Sequence, residues 1–306
     1  MRFGTGRDIT TVPQAIGWSA VLAQRALRPA ALRRDVFGPD ARICVVHGDT
    51  PSTLLSTLLA RRAGLRVAHL EAGLRSRSIL HPFPEELIRL AVMRSSRLLF
   101  APDDEAVANL EAMKVKGQIL RTPGNTSIDA LRASLTDVPA PGSGSAVVTM
   151  HRVENLHRRS TVQGFFELVL RIAAERKVTF VVHGPTEDVL RRSGRADELT
   201  AAGVETVSLL PHREFTRLLA AAPRVVTDGG SVQEECALLG VPTLLWRHRT
   251  ERSDGLGENV VLTSYESSAY VPLLADPERY RRPPAWEDRV SPAEVIADHL
   301  VAEAAI

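Results

Sequence analysis

Short runs of aliphatic and β-branched residues alternate with longer helical patterns along most of the chain. Of all features of the sequence, this alternation restricts the possible folds most strongly. Buried strands are predicted at 43–46, 65–70, 98–100, 118–120, 146–150, 178–182, 225–227 and 242–246. Helical patterns stand between them, at 54–63, 85–93, 103–113, 161–174, 215–222 and 232–239. Repeated β–α units joined by short loops are typical of parallel, doubly wound sheets. The sequence therefore predicts an α/β protein.

A segment rich in Pro, Gly and Ser at 137–145 interrupts this alternation and predicts a linker. The strand and helix pattern restarts after it. A chain of 306 residues has room for about two domains of ~150 residues each. We therefore expect a first domain at 1–137, a second at 145–290, and a C-terminal helix at 291–306 that packs back on the first domain.

Composition and charge exclude several classes of protein. Hydrophobic residues make up 44% of the chain and charged residues 24%, which is ordinary for a globular protein and too apolar for a disordered one. No apolar run reaches the ~18–20 residues of a membrane span, and the first residues lack the apolar stretch of a secretion signal. The net charge is +2 and aromatic residues are sparse, so we expect neither a membrane nor a nucleic-acid partner. Cys44 and Cys236 lie in apolar segments, which predicts reduced thiols and a cytoplasmic location.

Polar and ionisable residues follow five of the predicted strands. The five segments are 47–50, 71–75, 151–155, 183–186 and 228–231. Open parallel sheets bind ligands at the carboxyl ends of their strands. Any one of these segments could be a plain turn or a helix cap. Five of them facing one cleft predict a polar active site.

A glycine turn after the strand at 225–227 gives the sharpest chemical signal. Gly229 and Gly230 let the backbone approach a ligand closely, and Ser231 stands at or near the start of a helix, where N–H groups and the helix dipole favour phosphate. Glu235, one turn further on, is a natural acceptor for ribose hydroxyl groups. The alternative is a tight turn that Ser231 merely caps. Arg252 follows the next strand and is either a phosphate clamp or a plain surface arginine.

Three carboxylates stand on successive β–α junctions of the first half, namely Asp49, Glu71 and Glu85. The rigid Pro-Phe-Pro segment at 82–84 fixes the entry to the helix that begins with Glu85. Beside it, Glu86 is interpreted as complementing the helix dipole. Carboxylates crowded into one cleft raise one another's pKa values, which suits proton transfer at carbon or to a leaving oxygen.

Motifs of other enzyme classes are missing from the sequence. It contains no Gly-x-x-x-x-Gly-Lys phosphate loop, no Gly-x-Gly-x-x-Gly fingerprint, no His-Glu-x-x-His, no paired Cys-x-x-Cys and no Gly-x-Ser-x-Gly. His151, His183 and Asp228 share no spacing typical of metal ligands. We therefore expect neither a metal nor a cofactor.

Taken together, the motifs resemble those of the UDP-N-acetylglucosamine 2-epimerase family. The matching segments, in the family's order, are 47–50, 69–75, 82–86, 123–126, 151–155, 228–235 and 250–252. The resemblance implies two Rossmann-like domains of glycosyltransferase B-type architecture with a UDP-sugar between them. It also implies removal of the sugar's C2 proton with loss of UDP, giving a 2-acetamidoglucal. Non-hydrolysing members add UDP back on the other face, and hydrolysing members release N-acetylmannosamine.

The resemblance also implies roles for single residues. It makes Asp49, Glu71 and Glu85 the catalytic carboxylates and His151 the catalytic histidine. We expect Asp49 and Glu85 to handle the proton transfers at C2, with Glu71 and His151 nearer the leaving group. The residues that would bind the substrate are Arg152, His183, Phe215, Gly229, Gly230, Ser231, Glu235 and Arg252.

Three departures from the family's pattern affect these expectations. The family's first strand and Gly-Thr-Arg-Pro-Glu loop have no counterpart here, so we expect an incomplete first domain that lacks about one β–α–β unit, ~30 residues or more. A sheet without that unit should expose an edge or an apolar face. The usual Asp-Ser-Gly-Gly has its serine moved two places, to Ser231. Val153 and His157 replace a usual arginine and a common glycine.

Several functions therefore stay open from the sequence. The leading one is an epimerase that interconverts UDP-N-acetylglucosamine and UDP-N-acetylmannosamine, acting as a homodimer. The alternatives are a hydrolysing relative that releases N-acetylmannosamine and UDP, a glycosyltransferase that uses the same cleft, and a truncated paralogue that binds nucleotide-sugar without turnover.

Overall fold

The computed structural model describes residues 17, 24, 26–77, 84–135, 137, 139–287 and 289–305. The chain divides into two compact units, which we call unit 1 (Met1–Asn125 with Ala293–Ile306) and unit 2 (Thr126–Pro292). Each unit holds one parallel sheet. Within the described ranges, no helix is both long enough and apolar enough to cross a membrane. The predicted domain boundaries stay a prediction.

Unit 1 is built on a four-stranded sheet with the strand order β1-β2-β3-β4. Its strands are β1 (Ile43–His47), β2 (Arg66–Leu70), β3 (Leu98–Ala101) and β4 (Gln118–Arg121). From Pro29 on, its described helices, apart from the last one of the chain, are α1 (Pro29–Leu32), a π-helical turn (Arg33–Phe37), α2 (Pro51–Arg62), α3 (Glu85–Ser95) and α4 (Asp104–Ala112). All three strand pairs are parallel, so the carboxyl ends of the strands lie at one edge of the sheet.

Unit 2 is built on a six-stranded parallel sheet with the strand order β10-β9-β8-β5-β6-β7. Its strands are β5 (Ala146–Thr149), β6 (Val178–Val182), β7 (Val204–Ser208), β8 (Val225–Thr227), β9 (Thr243–Leu245) and β10 (Val260–Leu262). Its helices are α5 (Ser127–Ser134), α6 (Val153–Leu156), α7 (Arg159–Ala173), α8 (Gly184–Ser193), α9 (Arg195–Ala201), α10 (His212–Ala221), α11 (Gly230–Leu239), α12 (Ser267–Ala275) and a 3₁₀ turn (Glu278–Tyr280).

The last helix, α13 (Pro292–Ala304), packs on the sheet of unit 1. Ile296 is buried against Leu98 and Phe100, and Leu300 packs beside them. An ion pair of 2.8 Å joins Arg66 Nη1 to a carboxylate oxygen of Glu303. The apolar face of this helix therefore covers one side of the four-stranded sheet.

Strand β1 forms an exposed edge among the described residues of unit 1. It pairs only with β2, and Val45 is 47% exposed. Two grooves of about 440 and 450 Å³ border the strand, the first lined in part by Phe37 and Leu59 and the second by Leu300 and Val301.

The sequence pattern does not predict β7 or β10, the two outer strands of the second sheet. In β7, Val204 is buried but Glu205 is exposed, because an outer strand is covered on fewer sides than a central one. β10 has only three residues. β7 therefore lacks the continuous apolar run that marks β5 and β6, whereas β10 is apolar throughout but short.

Candidate active site

The turn after β1 presents Asp49. Gly48 has a positive φ of +70°, which turns the chain sharply away from the strand. Thr50 then caps α2 by accepting a hydrogen bond from Thr53 N, and the Thr53 hydroxyl donates to His47 O at 2.8 Å. These bonds hold the turn in place, and the Asp49 side chain is 24% exposed. The structure thus places this predicted catalytic carboxylate at a fixed, accessible position at the end of its strand.

A buried arginine holds the Asp49 carboxylate. Arg89 on α3 donates from Nη2 to Asp49 Oδ2, and its Nη1 lies 3.2 Å from Glu86 Oε2. Glu86 is completely buried and also accepts from Arg75 Nε at 2.5 Å and from Ser76 N at 3.1 Å. Burial raises the pKa of Glu86, but the hydrogen bonds from Arg75 and Ser76 and the charge of Arg89 outweigh it, so the pKa is lowered.

The role of Glu86 differs from the one that the sequence suggests. The residue does stand in the first turn of α3, where a carboxylate complements the helix dipole. Its buried ion pairs with Arg75 and Arg89 are the larger interaction. Glu86 keeps Arg89 in place, and Arg89 in turn reaches Asp49.

Glu71 follows β2 in a left-handed backbone conformation, with a φ of +59°. Its Oε1 accepts a hydrogen bond from Asn125 Nδ2 and lies 3.5 Å from His47 Nε2. A positive φ is uncommon for a residue other than glycine and is concentrated at functional sites. Glu71 is therefore held at the carboxyl end of the sheet, beside His47.

Glu85 is the first residue of α3 and is half-buried. The preceding Pro82 and Phe83 lie outside the described residues, so only Pro84, at the N-cap, is seen of the segment that is expected to fix the helix entry. Arg89 stands one turn further along the same helix. Glu85 and the arginine that binds Asp49 therefore belong to the same helical element.

His69 is a buried residue of this region that the sequence analysis does not single out as a site residue. Its side chain is fully buried in β2, and Nε2 lies 2.9 Å from Gly48 O. Burial lowers the pKa of His69 to about 4, although Glu71 and Asp49 oppose the shift. A neutral His69 therefore donates to the carbonyl of the turn that carries Asp49.

In unit 2, Asp228 organises the end of β5. It is completely buried and accepts hydrogen bonds from His151 N at 3.0 Å, Arg152 N at 3.0 Å and Asn155 Nδ2 at 2.9 Å. His151 Nδ1 lies 3.3 Å from Asp228 Oδ1, and the His151 ring stacks on His183 with centroids 4.5 Å apart. Burial, followed by the charge of His151, lowers the pKa of His183. The structure thus brings both predicted histidines together.

The glycine turn lies directly against this histidine. Gly229 is the N-cap of α11, and the helix begins at Gly230. A Cβ added at Gly229 would lie 3.0 Å from His151 Cε1, and one at Gly230 would lie 3.3 Å from Arg252 Nε. Ser231 is exposed in the first turn and is not the capping residue. The turn therefore offers the N–H groups of a helix start between an imidazole and a guanidinium.

Arg252 belongs to a network of charged side chains. Its Nη1 lies 2.5 Å from Glu234 Oε2, while Glu251 is bound by Arg247 at 2.8 Å and by Arg152 at 3.4 Å. Burial raises the pKa of Glu251, but the charges of Arg247 and Arg152 outweigh it and lower the value to about 2. The predicted arginines Arg152 and Arg252 are therefore held close to the glycine turn rather than spread over the surface.

Glu235 lies one turn into α11 and is buried. Its Oε1 is 3.0 Å from His212 Nε2 on α10. Burial raises the pKa of this carboxyl, and His212 counteracts the shift only in part. Phe215, one turn after His212, is half-buried against the apolar core of this unit.

Sequence reasoning misses Arg89 and His212 as site residues. Arg89 is three residues after Glu86, and this spacing places both side chains on one helix face. The sequence alone therefore allows the Glu86–Arg89 ion pair to be predicted. His212 lies far from Glu235 in sequence, on another helix, and no local pattern links them. Asp228 lies in a predicted polar strand end but is given no role in the site, whereas the structure shows that it accepts hydrogen bonds from the backbone after β5.

Comparisons with known proteins identify the family of this chain. The family model described as UDP-N-acetylglucosamine 2-epimerase matches residues 37–271. The chain is similar to the UDP-N-acetylglucosamine 2-epimerase of Bacillus subtilis, with 32% identity over 270 residues that cover 83% of this chain and 70% of the relative. It is 30% identical to that of Methanocaldococcus jannaschii over 72% of this chain and 64% of the relative. The chain thus spans about two thirds of the length of these relatives.

A solved structure has the same fold. The Methanocaldococcus jannaschii UDP-GlcNAc 2-epimerase in complex with UDP-GlcNAc and UDP superposes with a TM-score of 0.76 and 25% identity, covering 98% of this chain and 83% of that one. Together with the two parallel sheets, this likeness confirms the predicted fold class, an α/β protein with two Rossmann-like units of the glycosyltransferase B type.

Proposed function

The chain belongs to the UDP-N-acetylglucosamine 2-epimerase family, and we propose that it interconverts UDP-N-acetylglucosamine and UDP-N-acetylmannosamine. The observation that carries the proposal is the set of carboxylates in unit 1. Asp49 and Glu71 stand at the ends of neighbouring strands, Glu85 opens α3, and Arg89 of that same helix binds Asp49. Proton transfer at a sugar carbon needs carboxylates that are held in fixed positions.

The proposed reaction begins with an elimination. A carboxylate takes the proton from C2 of the sugar, the electron pair of that C–H bond forms the C1–C2 double bond, and the C1–O bond breaks with its electrons leaving on UDP. The product is 2-acetamidoglucal. Re-addition returns a proton to the opposite face of C2 and a UDP oxygen to C1. Two groups on opposite faces of the ring are needed, and we assign these roles to Asp49 and Glu85.

Unit 2 supplies the groups that suit the nucleotide. The helix start at Gly229, Gly230 and Ser231 suits the diphosphate, and Arg252 beside it supplies a positive charge as the leaving group gains negative charge. We assign His151 and Glu71 to the leaving group, as the resemblance implies. The remaining proposed contacts to the substrate are Arg152, His183, Phe215 and Glu235.

We further propose a homodimer in the cytoplasm. The free cysteines support this location, since Cys236 is buried and Cys44 half-buried, and free thiols persist in a reducing compartment. The homodimer rests on the resemblance alone. Light scattering on the purified protein tests it, and a mass of one chain at micromolar concentration would contradict it.

Incubation with UDP-N-acetylglucosamine in heavy water tests the activity. We expect deuterium at C2 of both nucleotide sugars and the appearance of UDP-N-acetylmannosamine. Release of free N-acetylmannosamine with UDP would instead identify the hydrolysing reaction. Binding of UDP with no exchange at C2 would identify a nucleotide-sugar-binding paralogue, and each of these two results would contradict the proposal.

A further inference from the structure

A histidine that the proposed reaction does not use contacts the Glu235 carboxylate. His212 opens α10, and its Nε2 lies 3.0 Å from Glu235 Oε1. On the other side of the ring, Nδ1 lies 3.0 Å from Ser134 Oγ at the end of α5. The three side chains come from three different helices, all in unit 2. The imidazole therefore links a hydroxyl to a carboxylate.

The other oxygen of Glu235 is the unusual feature of this site. Oε2 is buried, and no hydrogen-bond partner for it occurs in the described part of the chain. Glu235 as a residue is only 8% exposed. A buried carboxylate oxygen without a donor is unfavourable, and such groups in folded proteins are usually satisfied by a ligand or by water. Glu235 therefore presents one satisfied and one unsatisfied oxygen.

The order of hydroxyl, imidazole and carboxylate could also serve a nucleophilic serine. Ser134, however, is only 6% exposed and lies in the last turn of α5. A buried hydroxyl cannot reach an ester or amide substrate. The functional part of the arrangement is therefore the Glu235 carboxylate. His212 fixes one of its oxygens and leaves the other for a ligand.

We propose that His212 is a positioning residue that fixes the Glu235 carboxylate so that Oε2 accepts a hydrogen bond from the ribose diol, which makes this unit selective for ribonucleotides. This inference rests on the proposed function, because it takes UDP as the nucleotide. A diol supplies the O–H donors that Oε2 lacks, whereas a dideoxyribose supplies none. His212 keeps the acceptor in one orientation before the nucleotide binds, and so lowers the ordering cost of binding.

Calorimetric titration with UDP and with 2′,3′-dideoxy-UDP tests the inference. The wild type should bind UDP about tenfold more tightly than the dideoxy compound. In His212→Leu we expect UDP to bind about fivefold more weakly, while binding of the dideoxy compound changes less than twofold. His212→Gln, whose amide can still donate to Glu235, should recover most of the lost affinity. In steady-state assays His212→Leu should raise KM and leave kcat nearly unchanged.

His299→Leu is the matched control, because it removes an exposed histidine from a helix of unit 1. It should bind both nucleotides as the wild type does. Equal weakening of both nucleotides in His212→Leu, or no weakening of either, would overturn the inference. A wild type that does not bind UDP would overturn the inference and the proposed function together. Selective UDP binding without turnover would contradict the proposed function alone.

Discussion

Two aspartates follow strands in the two units, and their surroundings differ in kind. Asp49 comes two residues after β1, is partly exposed, and is held by the side chain of one buried arginine. Asp228 comes directly after β8, is completely buried, and is held by two backbone N–H groups and one amide. Asp49 therefore remains accessible to a substrate, whereas the carboxylate oxygens of Asp228 accept hydrogen bonds from the protein itself.

This difference shows that a residue at a strand end can either take part in a reaction or stabilise the local structure. An ionised group that must exchange protons needs solvent or substrate access and a counter-charge that does not block it. A group that shapes a binding surface instead needs complete hydrogen bonding. The position at the end of a parallel strand suits both roles, and the partners of the side chain decide between them.

Replacing Asp49 should have the largest effect on catalysis. Asp49→Asn keeps the shape of the side chain but removes its ability to take a proton, so kcat should fall about 10³-fold. The melting temperature should change little, because the buried Arg89 keeps its ion pair with Glu86. Steady-state epimerisation and thermal unfolding measure the two effects. Asp40→Asn, an exposed site in the same unit, should behave as the wild type, and a loss below tenfold in Asp49→Asn would contradict its catalytic role.

Replacing Asp228 should have the largest effect on stability. Asp228→Ala leaves the N–H groups of His151 and Arg152 and the amide of Asn155 without their buried acceptor, which should cost about 3 kcal/mol. Asp228→Asn keeps one carbonyl oxygen and should cost less. Urea unfolding measures both. Asp188→Ala, which removes only a surface ion pair, should change stability by less than about 0.5 kcal/mol.

The comparison extends to a buried histidine of unit 1. The pKa of His69 is about 4 in the folded protein against an ordinary value of 6.5, so the unfolded chain binds the proton first as the pH falls. Its contribution to stability is therefore complete above pH 6.5 and is lost progressively toward pH 4, by up to about 3 kcal/mol. Unfolding free energies at several pH values between 7 and 4 should show a shallower decline in His69→Gln than in the wild type. The exposed His299→Gln should keep the wild-type decline, and parallel curves for all three proteins would exclude His69 as the cause.

The smallest effect is expected at the exposed edge of unit 1. Val45→Thr on β1 should change the unfolding free energy by less than about 0.5 kcal/mol, because Val45 is half-exposed. The same substitution at Val147, fully buried in the middle of the second sheet, should cost about 2 kcal/mol. Equal costs at the two positions, measured by urea unfolding, would show that β1 is covered in solution.

The sequence predicts the sheets well because their strands are strongly apolar. Strands over 178–182 and 225–227 occur with the predicted bounds, and most helices differ by one to three residues at their ends. Helices α1, α5, α6, α8, α9 and α12 and strands β7 and β10 are not predicted. β7 is half-polar, so a local apolar pattern cannot identify it, whereas β10 is an apolar three-residue strand that the sequence analysis does not assign.

The sequence predicts which residues stand at the strand ends, but not which side chains contact them. The rule that ligands bind at the ends of parallel strands brings out Asp49, Glu71 and His151 as candidates from the sequence. The pairs Arg89–Asp49 and His212–Glu235 join separate elements, and only the packed structure brings them together. A single motif also does not fix which residue caps the helix. The N-cap of α11 is Gly229, and Ser231 is exposed in the first turn.

The hydrogen bonds of Asp228 also bear on the thermodynamics of ligand capture. They order the backbone at His151 and Arg152 while no ligand is present, so the loss of chain entropy there has already occurred during folding. Association with a nucleotide then has little left to immobilise at this strand end. The entropic penalty of complex formation should accordingly come from the ligand's own rotatable bonds more than from the polypeptide.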